Sequence, residues 1–134
     1  MKHSTPIEIL ENLADIGVSK TNCTLRKLIL MGIMAGAYIA FAGVASTMGA
    51  FNLLAEADTY GLGRILCGAI FTGGLAIVTL AGAELFTGNT LITISVLEKK
   101  TTVAKMLKNW IIVYISNFAG SVLIAWLVYN SGVL

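Results

Sequence analysis

The residues best equipped for chemistry lie in one short stretch, Gly82-Ala83-Glu84-Leu85-Phe86-Thr87-Gly88-Asn89. Thr87 carries a hydroxyl that can donate to a small anion, and Gly88 beside it lets the backbone come close. Glu84 is the only charge among the 33 residues from Ile65 to Leu97. A carboxylate at such a place either serves function directly or accepts hydrogen bonds from freed loop amides and holds the loop. Asn89 can cap a following helix, whose positive end would then point at the same region.

The elements that must position these groups follow from length. One helix over Ile65–Leu97 would extend about 50 Å against a hydrocarbon core of about 30 Å. Gly82 and Gly88, flanking a carboxylate, favour a break into two short helices. Non-helical backbone at membrane depth is tolerated only where protein buries it or a water-filled cavity adjoins it. The break therefore predicts a pore or site at residues 82–89. Phe71 and Leu75 lie four apart on the first half and share a helix face, which suits ordinary packing as well as an apolar constriction.

Two further runs complete the pattern. Leu28 to Phe51 is free of charge over 24 residues, with Arg26 and Lys27 at its entrance, and Asn109 to Leu134 is free of charge over 26. Both are long enough to span a membrane. Gly32, Gly36 and Gly43 form the small-residue pattern that lets another helix approach closely in lipid. Asn52 to Arg64 reads as an exposed loop and Thr101 to Lys108 as a basic connection. Residues 1–19 carry Glu8, Glu11 and Asp15 and no central apolar block, which excludes a signal peptide. They read as a surface helix with Thr5 as N-cap, Pro6 at its first position and Glu8 completing a capping box. Ile9, Leu13 and Ile16 share its apolar face, turned to the membrane or a neighbouring subunit, and Gly17 ends it.

Composition agrees. The chain is 57% hydrophobic and only 12% charged, with a mean hydropathy of +0.85, where soluble domains carry about 25% charged residues. It is an all-α integral membrane protein with three spans of about 28–51, 65–97 (broken at 82–89) and 109–134, after a cytoplasmic helix and linker over 1–27. The net charge of +2 is too small to imply nucleic acid. Eight basic residues fall on one side of the three-span model, and only Arg64 on the other, which places the N-terminus in the cytoplasm. Trp110, Trp126 and Tyr129 suit interfacial aromatic belts. Cys23 and Cys67 fall near opposite faces and read as free thiols, and His3 as a solvated residue in a frayed terminus. There is no clustered Cys/His set for a metal, no nucleophile with a base beside it, and no phosphate loop. An enzyme is therefore the weakest reading, and no cofactor is implied.

On Ala83-Glu84-Leu85-Phe86-Thr87-Gly88-Asn89 and the order of elements around it, the chain resembles the formate/nitrite transporter family, which includes formate, nitrite and hydrosulfide channels. The resemblance implies an aquaporin-like half of an inverted-repeat fold, with one pore in each protomer of a homopentamer in the inner membrane. It implies that Thr87 faces the pore, that Leu85 forms the cytoplasmic constriction, that Phe71 and Leu75 are apolar gate residues, and that Phe86 and Asn89 belong to the pore stretch. Glu84, Gly82 and Gly88 would shape the loop. The implied solutes are small monovalent anions, passing with or without a proton. The departure is length. The resemblance covers about the first half of the family pattern, and the family's central pore histidine and second-half lysine have no counterpart, His3 being the sole histidine. A truncated or partial product is expected, in preference to a second polypeptide supplying the missing half, and alone it should conduct poorly. The other reading is a non-transporting membrane scaffold or assembly subunit. A water pore of the aquaporin kind would show Asn-Pro-Ala, and Pro6 is the only proline.

Overall fold

A computed structural model describes residues 4–133; His3 and Leu134 lie outside the described residues. Among the described residues seven helices follow in order: α1 (Pro6–Thr21), α2 (Leu25–Gly49), α3 (Phe51–Ala55), α4 (Tyr60–Leu80), α5 (Phe86–Asn89), α6 (Ile92–Leu97) and α7 (Val103–Ser131). Among them α2, α4 and α7 are long and apolar enough to cross a membrane.

α2 and α7 form the central seam. Along α7 the buried positions are Met106, Asn109, Val113, Ser116, Gly120 and Ile124, a stripe at helical spacing. It meets α2 at glycines. A Cβ on Gly36 would fall inside the Asn117 carbonyl, one on Gly120 inside the Ile33 carbonyl, and one on Gly32 only 2.6 Å from Ser116 Cβ. The small-residue pattern therefore works at Gly32 and Gly36, whereas Gly43 faces open space. α4 packs on the other side of α2, where Ser46 Oγ donates to the Cys67 carbonyl (2.9 Å) and Cys67 Sγ to the Ser46 carbonyl (3.4 Å). Cys23 and Cys67 are both free thiols.

At α1 the capping box forms as expected: Glu8 N–H donates to Thr5 Oγ1 (3.3 Å) and Thr5 N–H to Glu8 Oε2 (2.7 Å), with Pro6 in the first turn. Gly17 does not end the helix, which continues to Thr21. It is buried against α6, where a Cβ would collide with Ser95. Ala14 lies beside it, its carbonyl accepting from Ser95 Oγ (2.7 Å). The docked face is thus the small-residue strip Ala14–Gly17, and Ile9 and Ile16 stay about half exposed. Close approach rather than apolar bulk decides which face packs.

Other boundaries shift. Asn52 to Arg64 is only in part a loop, because α3 and the start of α4 fall within it. The basic connection is shorter than expected as well: Thr102 Oγ1 accepts from Lys105 N–H (3.3 Å), capping α7 so that Lys105 and Lys108 stand in its first turns.

Candidate functional site

The long apolar run after Ile65 is interrupted between Leu80 and Phe86. Gly82 adopts φ +63°, the left-handed conformation that only glycine takes freely. Gly88 has no such need: it is helical, without positive φ. The second short helix begins at Phe86 rather than near Asn89, so Asn89 closes its first turn and does not cap it. At four residues, α5 is also too short for its dipole to carry the argument made from sequence.

The interrupted segment lies against the midpoint of α7, since Asn117 stands halfway along Val103–Ser131. From there α5 and α6 run back antiparallel to the first half of α7. Phe86 meets Tyr114 and Trp110 edge-on, with ring centroids 5.4 and 6.0 Å away. Asn89 meets Asn109 and Trp110, and Thr93 Oγ1 contacts Met106 Sδ at 3.8 Å. Backbone groups freed by the break find partners: Phe86 N–H donates to Asn117 Oδ1 (2.9 Å), Asn117 Nδ2 donates to the Glu84 carbonyl (2.8 Å), and Glu84 N–H donates to the Met31 carbonyl (3.2 Å). This is the satisfaction that irregular backbone inside a span requires.

Glu84 does not hold the loop by accepting from its amides. Its carboxylate pairs instead with Lys20 of α1 (2.7 Å), because that ammonium reaches across the break, and Lys20 also donates to Asn89 Oδ1 (2.9 Å). Asn89, fully buried, gives its amide N–H to Asn109 Oδ1 (2.8 Å), while Asn109 Nδ2 returns to the Lys20 carbonyl (3.1 Å). Trp110 Nε1 donates to the Asn89 carbonyl (2.8 Å), so this indole is an internal strut rather than a belt residue. Trp126 and Tyr129 remain exposed. Farther out, Lys100 Nζ donates to Asp15 (2.7 Å), and that bond is the main cause holding the Lys100 ammonium above its ordinary value.

Beside the break opens a cavity of about 720 Å³, walled by α1, the end of α4, the interrupted segment and α5–α6. Leu75, Leu85, Thr87 and Gly88 line it, as do Glu84, Asn89 and Lys20. Thr87 is exposed to it, and its hydroxyl makes no hydrogen bond among the described residues. By contrast Thr47, Thr72 and Thr79 all return their hydroxyls to helix carbonyls. Phe71 lies outside the lining although half exposed on the same helix, and Phe86 turns its ring away to α7. The structure thus brings together Leu75, Leu85 and Thr87, leaves Phe71 and Phe86 outside, and spends the Asn89 side chain on Lys20 and Asn109. The sequence reading missed Lys20, Asn109 and Asn117. The available signal was the presence of three asparagines, Asn109, Asn117 and Asn130, in an uncharged span, where such side chains must find partners.

The family model described as formate/nitrite transporter matches residues 7–134. Among curated relatives, a probable formate transporter of Methanothermobacter thermautotrophicus is 31% identical over 97% of this chain and 48% of its own length. The formate channel FocA of Haemophilus influenzae is 33% identical over 96% of this chain and 44% of its own. The formate channel BtFdhC of Bacillus thuringiensis is 33% identical over 94% and 48%. The chain therefore spans about half the length of the curated relatives it matches. No solved structure matches it. With three apolar helices of spanning length and these relatives, the protein is membrane-embedded.

Proposed function

The chain belongs to the formate/nitrite transporter family, and from that premise we propose that it builds one wall of a transmembrane pathway for a small monovalent anion. Formate is the favoured solute, because these relatives are formate transporters or channels by name. Nitrite and hydrosulfide share its charge and size class. The observation that carries the reading is the Thr87 hydroxyl, without a hydrogen-bond partner among the described residues and facing the cavity beside the break. An ion moved into hydrocarbon faces an idealised Born cost on the order of 20 kcal/mol. A hydroxyl donor offsets part of it, and passage as the neutral acid avoids much of the rest.

The cavity wall suits that second route. Lys20 is the cation that lines it, and its charge is matched by Glu84 at 2.7 Å. The wall therefore offers a donor and apolar surface rather than net charge, with Leu75 and Leu85 as the narrowing groups. In this reading the N-terminus is cytoplasmic, the membrane is the inner one, and copies assemble as a pentamer. Thr87→Val keeps the shape and removes the donor. Such formate uptake as vesicles carrying the protein show, poor as it is expected to be for this chain alone, should fall at least tenfold, with thermal stability changed by no more than about 0.5 kcal/mol, as for a surface substitution. Equal uptake by both proteins would remove Thr87 from the pathway.

A further inference from the structure

We infer that Asn117 is a positioning residue, which fixes the interrupted segment and thereby the direction in which Thr87 faces the cavity. It does not itself line the cavity. Its carboxamide is instead the junction of three segments: Oδ1 accepts from Phe86 N–H (2.9 Å), while Nδ2 donates to the Glu84 carbonyl (2.8 Å) and the Gly32 carbonyl of α2 (2.8 Å).

The residue type follows from the break itself. Where α4 stops, the chain presents a carbonyl at Glu84 and an amide at Phe86, and a partner must carry a donor and an acceptor side by side. A carboxamide does so, with two N–H groups and one oxygen, and here all three are engaged. Turning the amide over would set N–H against N–H at Phe86 and oxygen against two carbonyls, so its orientation is dictated by the partners. A carboxylate lacks both donors, and an aliphatic side chain lacks everything. The short Asn side chain reaches α2 only because the seam is so close, with glycines at Gly32 and Gly36 against Ser116 and Asn117.

The effect passes to Thr87 through its neighbour. Phe86 is gripped twice, its amide by Asn117 and its ring by Tyr114 and Trp110. Those three residues share one face of α7 at helical spacing. With Phe86 fixed, the first turn of α5 has a fixed start, and Thr87 is delivered to the cavity on its far side. The link to transport rests on the reading of Thr87 given above; the placement of the segment does not.

The experiment compares the wild-type chain in lipid vesicles with Asn117→Leu, Asn117→Ala in case the bulkier variant does not fold, and Ser121→Ala. Ser121 donates to the Gly36 carbonyl across the same seam (3.2 Å) without touching the interrupted segment. Hydrogen–deuterium exchange is read in peptides covering residues 83–88 and, separately, α2 and the second half of α7. Exchange in 83–88 should rise at least tenfold in the Asn117 variants while α2 and α7 stay protected, and Ser121→Ala should leave it unchanged. Formate flux should fall in the Asn117 variants and its selectivity over the larger acetate should narrow. Unchanged exchange in 83–88, or a rise spread equally over α2 and α7, overturns the inference. A rise confined to 83–88 with flux and selectivity intact overturns the link to Thr87. Absence of formate flux in the wild type agrees with the poor conduction expected of this chain alone, and the exchange result still decides the placement.

Discussion

Phe86 and Thr87 are adjacent in sequence and belong to opposite worlds. Phe86 faces α7, where its amide and ring are both held, and around it Asn89, Asn109, Trp110 and Asn117 spend their polar groups on one another, on Lys20 or on the backbone. Thr87 faces the cavity with an unspent hydroxyl among apolar walls. One side of the short helix is satisfied and the other is available. Irregular backbone inside a span costs several kcal/mol for every group left unpaired, so the satisfied side is what permits the break to exist. The available side is what the break makes accessible.

The largest expected effect comes from prying the satisfied side apart. A side chain at Gly36 must displace the Asn117 carbonyl backbone, which cannot swing away as a flexible side chain could. Gly36→Val should therefore destabilise by more than about 3 kcal/mol, at or beyond the usual range for overpacking. Thermal unfolding in detergent, or failure to purify as a single species, would register it. A Gly36→Val protein of wild-type stability would mean that α2 and α7 are not sealed at this point, and the contrast between the two sides would lose its foundation.

Much of this was legible in the sequence, and what was not has a common cause. The capping box of α1 and the break near Gly82 depend on residues within a few positions of each other, and local chemistry suffices for both. The three long apolar helices follow from runs of uncharged residues. The grip on the interrupted segment instead joins Lys20 to Glu84 and Phe86 to Asn117 across long stretches of chain, and no periodicity encodes such pairs. The same limit explains Gly17 and Phe86. A glycine late in a helix suggests a stop and an aromatic within a pore stretch suggests a pore residue, but α6 and α7 give them packing partners.

An intermediate effect tests whether the ionic strut belongs to the satisfied side. Lys20→Met removes the cation from Glu84 and one donor from Asn89 Oδ1. The Glu84 side chain is 15% exposed, so water can relieve only part of the loss. The expected cost is about 2 kcal/mol, in the range for hydrogen bonds to charged groups. Adding Glu84→Gln should recover about 1 kcal/mol of it, because the carboxylate left without a partner is then gone. Additive losses in the double variant would show that the two groups act separately.

The smallest effect sharpens the comparison by moving along the same helix. Gly43 belongs to the pattern with Gly32 and Gly36, yet a Cβ there meets nothing within 4 Å. If close approach to α7 is what requires glycine, Gly43→Ala should be neutral or should gain up to about 1 kcal/mol from the better helix propensity of alanine. The measurement is the same detergent unfolding series that reads Gly36→Val, so the two glycines are compared under one condition. A loss at Gly43 comparable to that at Gly36 would place a further helix against this part of α2. The glycine stripe would then mark a second contact face, and the seam with α7 would be only one of its uses.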